Sequence, residues 1–540
     1  MNDSPPNDLS IEENIPNRPE APLDGPSVLI PASGDPEPEA LVDAPPPSVQ
    51  ATHEASTALR NGLKLATSLT LTWGIALIIA FKLPKYLGPS FLGYYRYGEQ
   101  FAMTLAVFLG FGVDTYISRE VAVRPKHASD FFGGVVLVRL LAIVPLAVYA
   151  VVALRDKLPE ERVAVILFAF AQLFIVLNAT FQQTLQAASQ VGGLAIANVV
   201  SKILWGGGIL LAVTLRAPFW VLPSTMIASE AMKAAFLYRA TRQAVDLRIR
   251  FDVAETKRVL RAAFPFFIAN AAVTLGSTID VVVLRELVPP DSKEVGWYSA
   301  ASLIARLSAL MSPVLSGVLV PMMSRAKHRN EEEFFKILRR GLEGVSIVSI
   351  PLTLILALSA DFVIRLALKE PFAPAALSLQ WLAPTFVLAY ANVLLWIALM
   401  ILDRSWTITI ISFAGLALLP AFILGVVPLT RGMGDGATGM GVAMALSARE
   451  LVIVIVFFAC LGKKAVDHRS VLSITKSLGI CCAVVAVHVG LAPFGNIRLA
   501  ADCLTYLVLA LVTRVLRPAD IKDVLLMIKN RRQIQAEANG

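Results

Sequence analysis

The sequence predicts an all-α polytopic membrane protein, and three observations predict it. Of 540 residues, 56% are apolar and only 16% charged, against about 25% charged in soluble domains. Mean hydropathy is +0.66. The apolar residues also gather into stretches of about 20 with thin polar separators, the length a helix needs to cross a bilayer core.

The elements follow in order. Residues 1–57 hold eleven carboxylates against Arg18 alone, a charge of −10, and twelve of the 32 prolines. Such a segment has too little apolar surface to offset its ordering entropy and reads as a disordered acidic arm. It is the reverse of a cleaved signal with its basic start, so the first membrane helix is expected to direct insertion. Fourteen spans are expected near 60–82, 91–118, 132–154, 162–186, 192–214, 218–239, 262–284, 296–322, 340–359, 375–401, 405–427, 437–461, 471–491 and 498–516. Spans one to six lie in 58–240 and seven to twelve in 262–461, joined by a basic linker at 241–261; spans thirteen and fourteen occupy 462–517. In 518–540, Ile521, Val524, Leu525 and Ile528 share one helical face beside Lys522, Lys529, Arg531 and Arg532. That tail is either a basic amphipathic helix on the membrane or a loosely docked end.

An even number of spans places both ends on one side. Connections on that side carry 27 Lys and Arg and the opposite ones twelve, so both termini are expected in the cytoplasm. Four cysteines (Cys460, Cys481, Cys482 and Cys503) all lie in apolar runs without a histidine or carboxylate shell, which predicts neither a disulfide framework nor a metal site.

A repeat organises the spans. Gly93-Tyr94-Tyr95 opens the second span and Gly296-Trp297-Tyr298 the eighth, 203 residues on; Ser118-Arg119 and Ser324-Arg325, 206 apart, close them. Two similar six-helix halves explain the matching positions, a recurrent transporter design in which two bundles rock about a site between them.

These residues carry a family resemblance. Leu87-Gly88-Pro89, Gly93-x-Tyr95, Gly112 before Ser118-Arg119-Glu120, Phe264-Pro265, Asp280, Gly296-x-Tyr298-x-Ala300-Ala301 and Pro321-x-x-Ser324 together make 58–518 similar to the Wzx-type polysaccharide flippases. Those belong to the multidrug, oligosaccharidyl-lipid and polysaccharide exporter (MOP) superfamily. The resemblance implies a fourteen-span inner-membrane protein that moves an undecaprenyl-pyrophosphate-linked oligosaccharide to the outer leaflet for surface polysaccharide biosynthesis. It also implies partners among membrane lipids and the polysaccharide polymerase and export machinery. The acidic arm matches no family feature.

Six basic residues fall inside predicted spans: Arg96, Arg139, Lys202, Lys233, Arg306 and Arg449. Each costs about 2.5 to 3.5 kcal/mol on insertion scales unless it reaches water, a partner or the interface. A water-filled cationic cavity holding an anion would explain all six, and guanidinium forks suit a pyrophosphate. Arg306, Lys202 and Arg449 are expected deepest. Arg96 and Glu99, and Glu230 and Lys233, are spaced by three and could instead neutralise each other on one helix face. Arg306 could pair with Asp280 or Glu230; Glu450, next to Arg449, is expected to face elsewhere. Asp280, Glu230 and Glu99 are the candidate coupling or gating carboxylates, for H+ or Na+, with static pairing the competing reading. Asn178, Gln182, Gln183 and Gln186 either contact glycan or hydrogen-bond between helices.

The glycines of 434–441 lack the Gly-Lys-Ser/Thr ending of a phosphate loop. No Walker motif, catalytic constellation or cofactor motif is present, so no enzyme activity, cofactor or nucleic-acid partner is expected. The competing functions are a drug or small-ion antiporter of the same superfamily, and, further off, a membrane glycan polymerase or ligase. Cationic drugs would favour an acid-lined cavity, and the polymerase a substantial external loop.

Overall fold

The computed structural model describes residues 47–114, 116, 128–188, 191–245, 251–307, 312–513 and 515. The acidic arm up to residue 46, the Ser118-Arg119-Glu120 motif and the tail 518–540 lie outside the described residues. The chain divides into two compact units, Met1–Leu59 and Arg60–Gly540; the packing below belongs to the second.

All regular structure among the described residues is helical. The α-helices are α1 (Pro47–Gly110), α2 (Ala128–Ala153), α3 (Pro159–Ala187), α4 (Val191–Thr214), α5 (Val221–Val245), α6 (Val253–Leu287), α7 (Glu294–Ala305), α8 (Ser312–Arg329), α9 (Glu331–Leu358), α10 (Ala360–Leu368), α11 (Ala375–Leu382), α12 (Thr385–Ile401), α13 (Ser405–Thr430), α14 (Ala437–Leu461), α15 (His468–Gly490) and α16 (Arg498–Val512). Ten stretches among the described residues are helices long and apolar enough to cross a membrane, which makes the chain a polytopic membrane protein. The first of them, Leu71–Gly110, is 40 residues long, about 60 Å of helix or twice a bilayer core. It is two helices meeting at Gly88, whose φ of 68° glycine adopts without the Cβ penalty. The ten do not include α5, α7, α8 or the shorter apolar run Ile474–Gly490 in α15.

Three expected boundaries change. The eighth span, read as one helix over 296–322, is interrupted: α7 stops at Ala305 with Arg306 as its C-cap, and helix is described again from Ser312. Helix also replaces much of the expected 323–339 connection. Asn330 caps α9 by accepting from the Glu332 N–H at 2.9 Å, and Glu331, Glu332 and Glu333 fill its first turn, where carboxylates oppose the positive helix end. Helix likewise enters the expected 241–261 linker from both sides, since α5 runs to Val245 and α6 begins at Val253 behind the Asp252 cap.

The repeated motifs touch. A Cβ on Gly93 of α1 would lie 3.1 Å from the Gly296 backbone nitrogen, and one on Gly296 would lie 1.8 Å from the Pro89 carbonyl oxygen. Only glycine at 296 lets α7 approach α1 so closely. Farther along, a Cβ on Gly112 would collide with Phe267 and Ala263 of α6. The outer surface is apolar: Leu140, Leu141, Val144, Val148, Val151 and Val152 of α2 are each more than half exposed, as a surface solvated by lipid requires.

Candidate functional site

A cavity of about 360 Å³ lies among α6, α7, α11, α12 and α14, and its charged lining is Asp280, Arg306, Arg449 and Glu450. The end of α7 supplies one wall of it. Arg306 caps the C-terminal end of α7, where the helix dipole favours a cation. Its Nη2 donates to the Ser277 carbonyl at 3.1 Å and stands 3.7 Å from Asp280, while 48% of the side chain stays exposed. Asp280 is buried, accepts the Tyr298 hydroxyl at 2.7 Å on one oxygen, and has no hydrogen-bond partner on the other.

Across the cavity, Arg449 donates from Nη1 to the Gly276 carbonyl at 2.8 Å and from Nη2 to Glu450. Adjacent residues on a helix leave it in different directions, yet these two side chains converge, contrary to the sequence reading. The reason is a third helix: Asn392 of α12 donates to the other Glu450 oxygen at 2.5 Å and holds that carboxylate beside the arginine. Arg449 Nε is buried without a partner. Two guanidiniums with ten N–H donors between them therefore face two carboxylates, with most of the Arg306 donors still open to the cavity.

A crevice of about 30 Å³ continues from Arg306 toward α1, lined also by Arg96, Gln100, Ser299 and Ser302. Arg96 pairs with Glu99 at 2.6 Å, as their spacing allows. Beyond it Thr104 and Thr278 share a hydrogen bond at 3.0 Å. The structure thus joins three of the six intramembrane cations, Arg96, Arg306 and Arg449, in two adjoining spaces.

The other three lie apart from both spaces. Arg139 is buried in α2 and fully engaged: Nε donates to Leu109 O at 2.9 Å, Nη2 to Gly110 O at 3.3 Å and Nη1 to Thr180 Oγ1 at 2.7 Å, with Asp114 at 3.6 Å. It satisfies the last carbonyls of α1, which have no intrahelical donor. Lys202 lies over the Trp205 ring, 4.7 Å from its centre. Lys233 is half-buried and makes no ion pair with Glu230 among the described residues. Glu230 is instead bonded to Asn178, whose Nδ2 donates to its carboxylate at 2.9 Å and its carbonyl at 3.0 Å. Asn178 therefore ties α3 to α5 and lines neither of the two spaces. Gln182 and Gln186 line neither of the two spaces.

Several charged groups escaped sequence reading. Glu161, fully buried in the first turn of α3, accepts from Arg285 of α6 through Nε and through Nη2 at 2.9 Å. Beside it Lys157 reaches Glu286 at 2.7 Å. Glu294 of α7 accepts the N–H groups of Gly436 and Gly439 at 2.8 Å each, capping α14. Asp114 sits among the Arg139 donors, and His488 lies 2.6 Å from Asp502. These pairs are up to 145 residues apart, and no local spacing announces them; a helix-start carboxylate such as Glu161 was the one available hint. Among the described residues no group of His, Cys, Asp and Glu could hold a metal.

A sequence model of the polysaccharide biosynthesis protein family matches residues 58–327. A protein of Escherichia coli (strain K12) described as a candidate O-antigen transporter is 22% identical over 346 residues, 62% of this chain and 81% of its own. In structure the chain is similar to the lipid II flippase MurJ in an inward closed conformation, with a TM-score of 0.63 at 16% identity over 84% of this chain and 98% of that one. An inward-facing multidrug resistance MATE transporter of the MOP superfamily gives 0.57 at 15% identity, over 73% and 93%. A MOP superfamily transporter from Pyrococcus furiosus gives 0.53 at 14%, over 75% and 96%.

Proposed function

The chain belongs to the polysaccharide biosynthesis protein family, and from that premise we propose that it is a flippase carrying an undecaprenyl-pyrophosphate-linked oligosaccharide to the outer leaflet of the bacterial inner membrane. In this reading it is a polytopic transporter of the MOP superfamily, a fold it shares with MurJ and a MATE transporter, and carries out no covalent chemistry. The observation that carries the substrate reading is the Arg306–Arg449 cavity, where guanidinium N–H groups remain open beside Ser277 and Thr385. A pyrophosphate displaces Asp280 and Glu450 from the two arginines by offering more anionic oxygens in fork geometry. Arg96, through the shared crevice, extends the cationic path toward α1.

The helices are read as fourteen crossings, α1 supplying two and α7 with α8 one, arranged as two six-crossing halves with both termini in the cytoplasm. The Gly93–Gly296 contact, where equivalent motifs meet, supports that pairing. The Glu161–Arg285 and Lys157–Glu286 bridges join the first half to the second at one end, while Arg306 stays accessible. We read the bridges as a latch holding the outer end shut until the loaded headgroup pulls the halves together around it. An inside-negative potential then favours outward passage by about 2.3 kcal/mol per negative charge per 100 mV. Asp280, with its unpartnered oxygen, is the group best placed for coupling to a proton or Na+.

Reconstitution in liposomes with a lipid-linked oligosaccharide tests the proposal. Arg306→Ala combined with Arg449→Ala is expected to abolish leaflet transfer while monodispersity and helix content persist; transfer at the wild-type rate would refute the cavity assignment. The carboxylates Asp280 and Glu450 favour one rival, an antiporter for organic cations. Export of such a cation without movement of any lipid-linked glycan would establish that rival.

A further inference from the structure

A second cavity is larger than the charged one and apolar. A groove of about 690 Å³ separates α2 from α3 beside α1, lined by apolar side chains such as Leu105, Leu146, Val151, Ile166 and Phe170, with Arg155 and Arg162 at one end. Val151, Ile166 and Phe170 are each at least half exposed, so the groove opens sideways onto the lipid-facing surface. None of Arg96, Arg306 or Arg449 reaches it, which separates it from the substrate site.

Its dimensions and charge select an occupant. Along α3 the lining runs from Arg162 to Leu173, eleven steps or about 17 Å at 1.5 Å per residue. That is one leaflet's depth of hydrocarbon, about 15 Å, and too short for a chain that crosses the midplane. The apolar walls make water a poor filler. At the rim, Arg162 is held by the Lys157 carbonyl at 2.9 Å and the Arg155 carbonyl at 2.5 Å, and both arginine side chains remain exposed. Lys157 and Glu161 at the same end are occupied by Glu286 and Arg285; Asp156 and Glu160 are also near in sequence, and the two lining arginines are the charges that face the groove. A lipid standing in the leaflet puts its phosphate at that level.

We infer that the groove is a binding site for one anionic phospholipid, its acyl chain between α2 and α3 and its phosphate on Arg155 and Arg162. The lipid completes the packing of α2, whose exposed apolar faces otherwise lack protein neighbours. The site depends on membrane embedding alone and is independent of which substrate the protein carries.

Native mass spectrometry of the full chain, delipidated and then titrated with phosphatidylglycerol or phosphatidylcholine, tests this. One tightly retained phosphatidylglycerol is expected. Arg155→Ala with Arg162→Ala should weaken it roughly 30-fold, the effect of two cations near an anionic headgroup. Ala150→Phe, which fills the groove and leaves the charges, should displace it and abolish the lipid-dependent rise in unfolding temperature. Equal retention by wild type and both variants means annular lipid only and overturns the proposal. Displacement of phosphatidylglycerol by equimolar undecaprenyl phosphate overturns it in favour of the carrier chain.

Discussion

Arg139 and Arg306 are the same residue type at comparable cost in the membrane, and the structure employs them in opposite ways. Arg139 has spent its donors on two carbonyls, a hydroxyl and Asp114, and is buried. Arg306 makes one bond at 3.1 Å and a loose 3.7 Å pair, and keeps half its side chain accessible. What separates a structural cation from a ligand-binding one is therefore the number of donors left over, which depth in the span does not report. Arg449 stands between them, engaged at both Nη atoms but with Nε unpartnered.

The comparison breaks most easily at Arg139. Its replacement by alanine strands Asp114 and uncaps α1, and is expected to cost about 3 to 5 kcal/mol, seen as a large fall in unfolding midpoint and yield. Arg139→Lys should recover only part, because one ammonium cannot span both carbonyls and Thr180. An unchanged midpoint for the alanine variant would remove the structural role. The latch is a second saturated site. Glu161→Leu alone leaves Arg285 buried and unpaired, at about 3 kcal/mol or more, whereas Glu161→Leu with Arg285→Leu should restore most of the stability. Additive losses in that thermal-unfolding cycle would show the pair is uncoupled.

At Arg306 the expectation inverts. Because Arg306 itself is half exposed, its pair with Asp280 is loose at 3.7 Å and Tyr298 still donates to that buried carboxylate, Arg306→Ala should cost less stability than Arg139→Ala, yet slow leaflet transfer about tenfold or more through lost charge-assisted contacts to the headgroup. A transfer rate within twofold of wild type would erase the distinction from Arg139. Lys202→Ala removes only a cation–π contact, about 0.5 to 1 kcal/mol, and should leave transfer unaltered; strong loss would return Lys202 to the substrate path.

The smallest effect belongs to an exposed pair. Lys327 donates to Asp403 at 2.8 Å and holds its carboxyl below the usual range. A depressed carboxylate stabilises above its unfolded pKa and loses that contribution as pH falls through the folded value. The difference in unfolding midpoint between wild type and Asp403→Asn should thus be slight at neutral pH and vanish on acidification. A difference that grows in acid would reverse the sign.

Much of the candidate site was legible in pieces. The spacing of Arg96 and Glu99 announced their pair, and Asp280 was a named partner for Arg306. What stayed hidden depended on distant chain. Glu450 turns to Arg449 because Asn392, 58 residues away, holds it, and Asn178 serves Glu230 across 52 residues. The end of α7 at Ala305 stayed hidden as well, because hydropathy averaged over the segment conceals an interrupted helix.

The sequence by itself determined the environment: apolar stretches of bilayer length require helices, since every backbone group must be satisfied within the segment, and the repeated Gly-aromatic-Tyr motif marked corresponding points of two similar halves. Only the tertiary structure decided which intramembrane charges are free. Pairing depends on side chains brought together from helices far apart in sequence, and whether a guanidinium ends saturated like Arg139 or open like Arg306 is set by how many acceptors those neighbours supply.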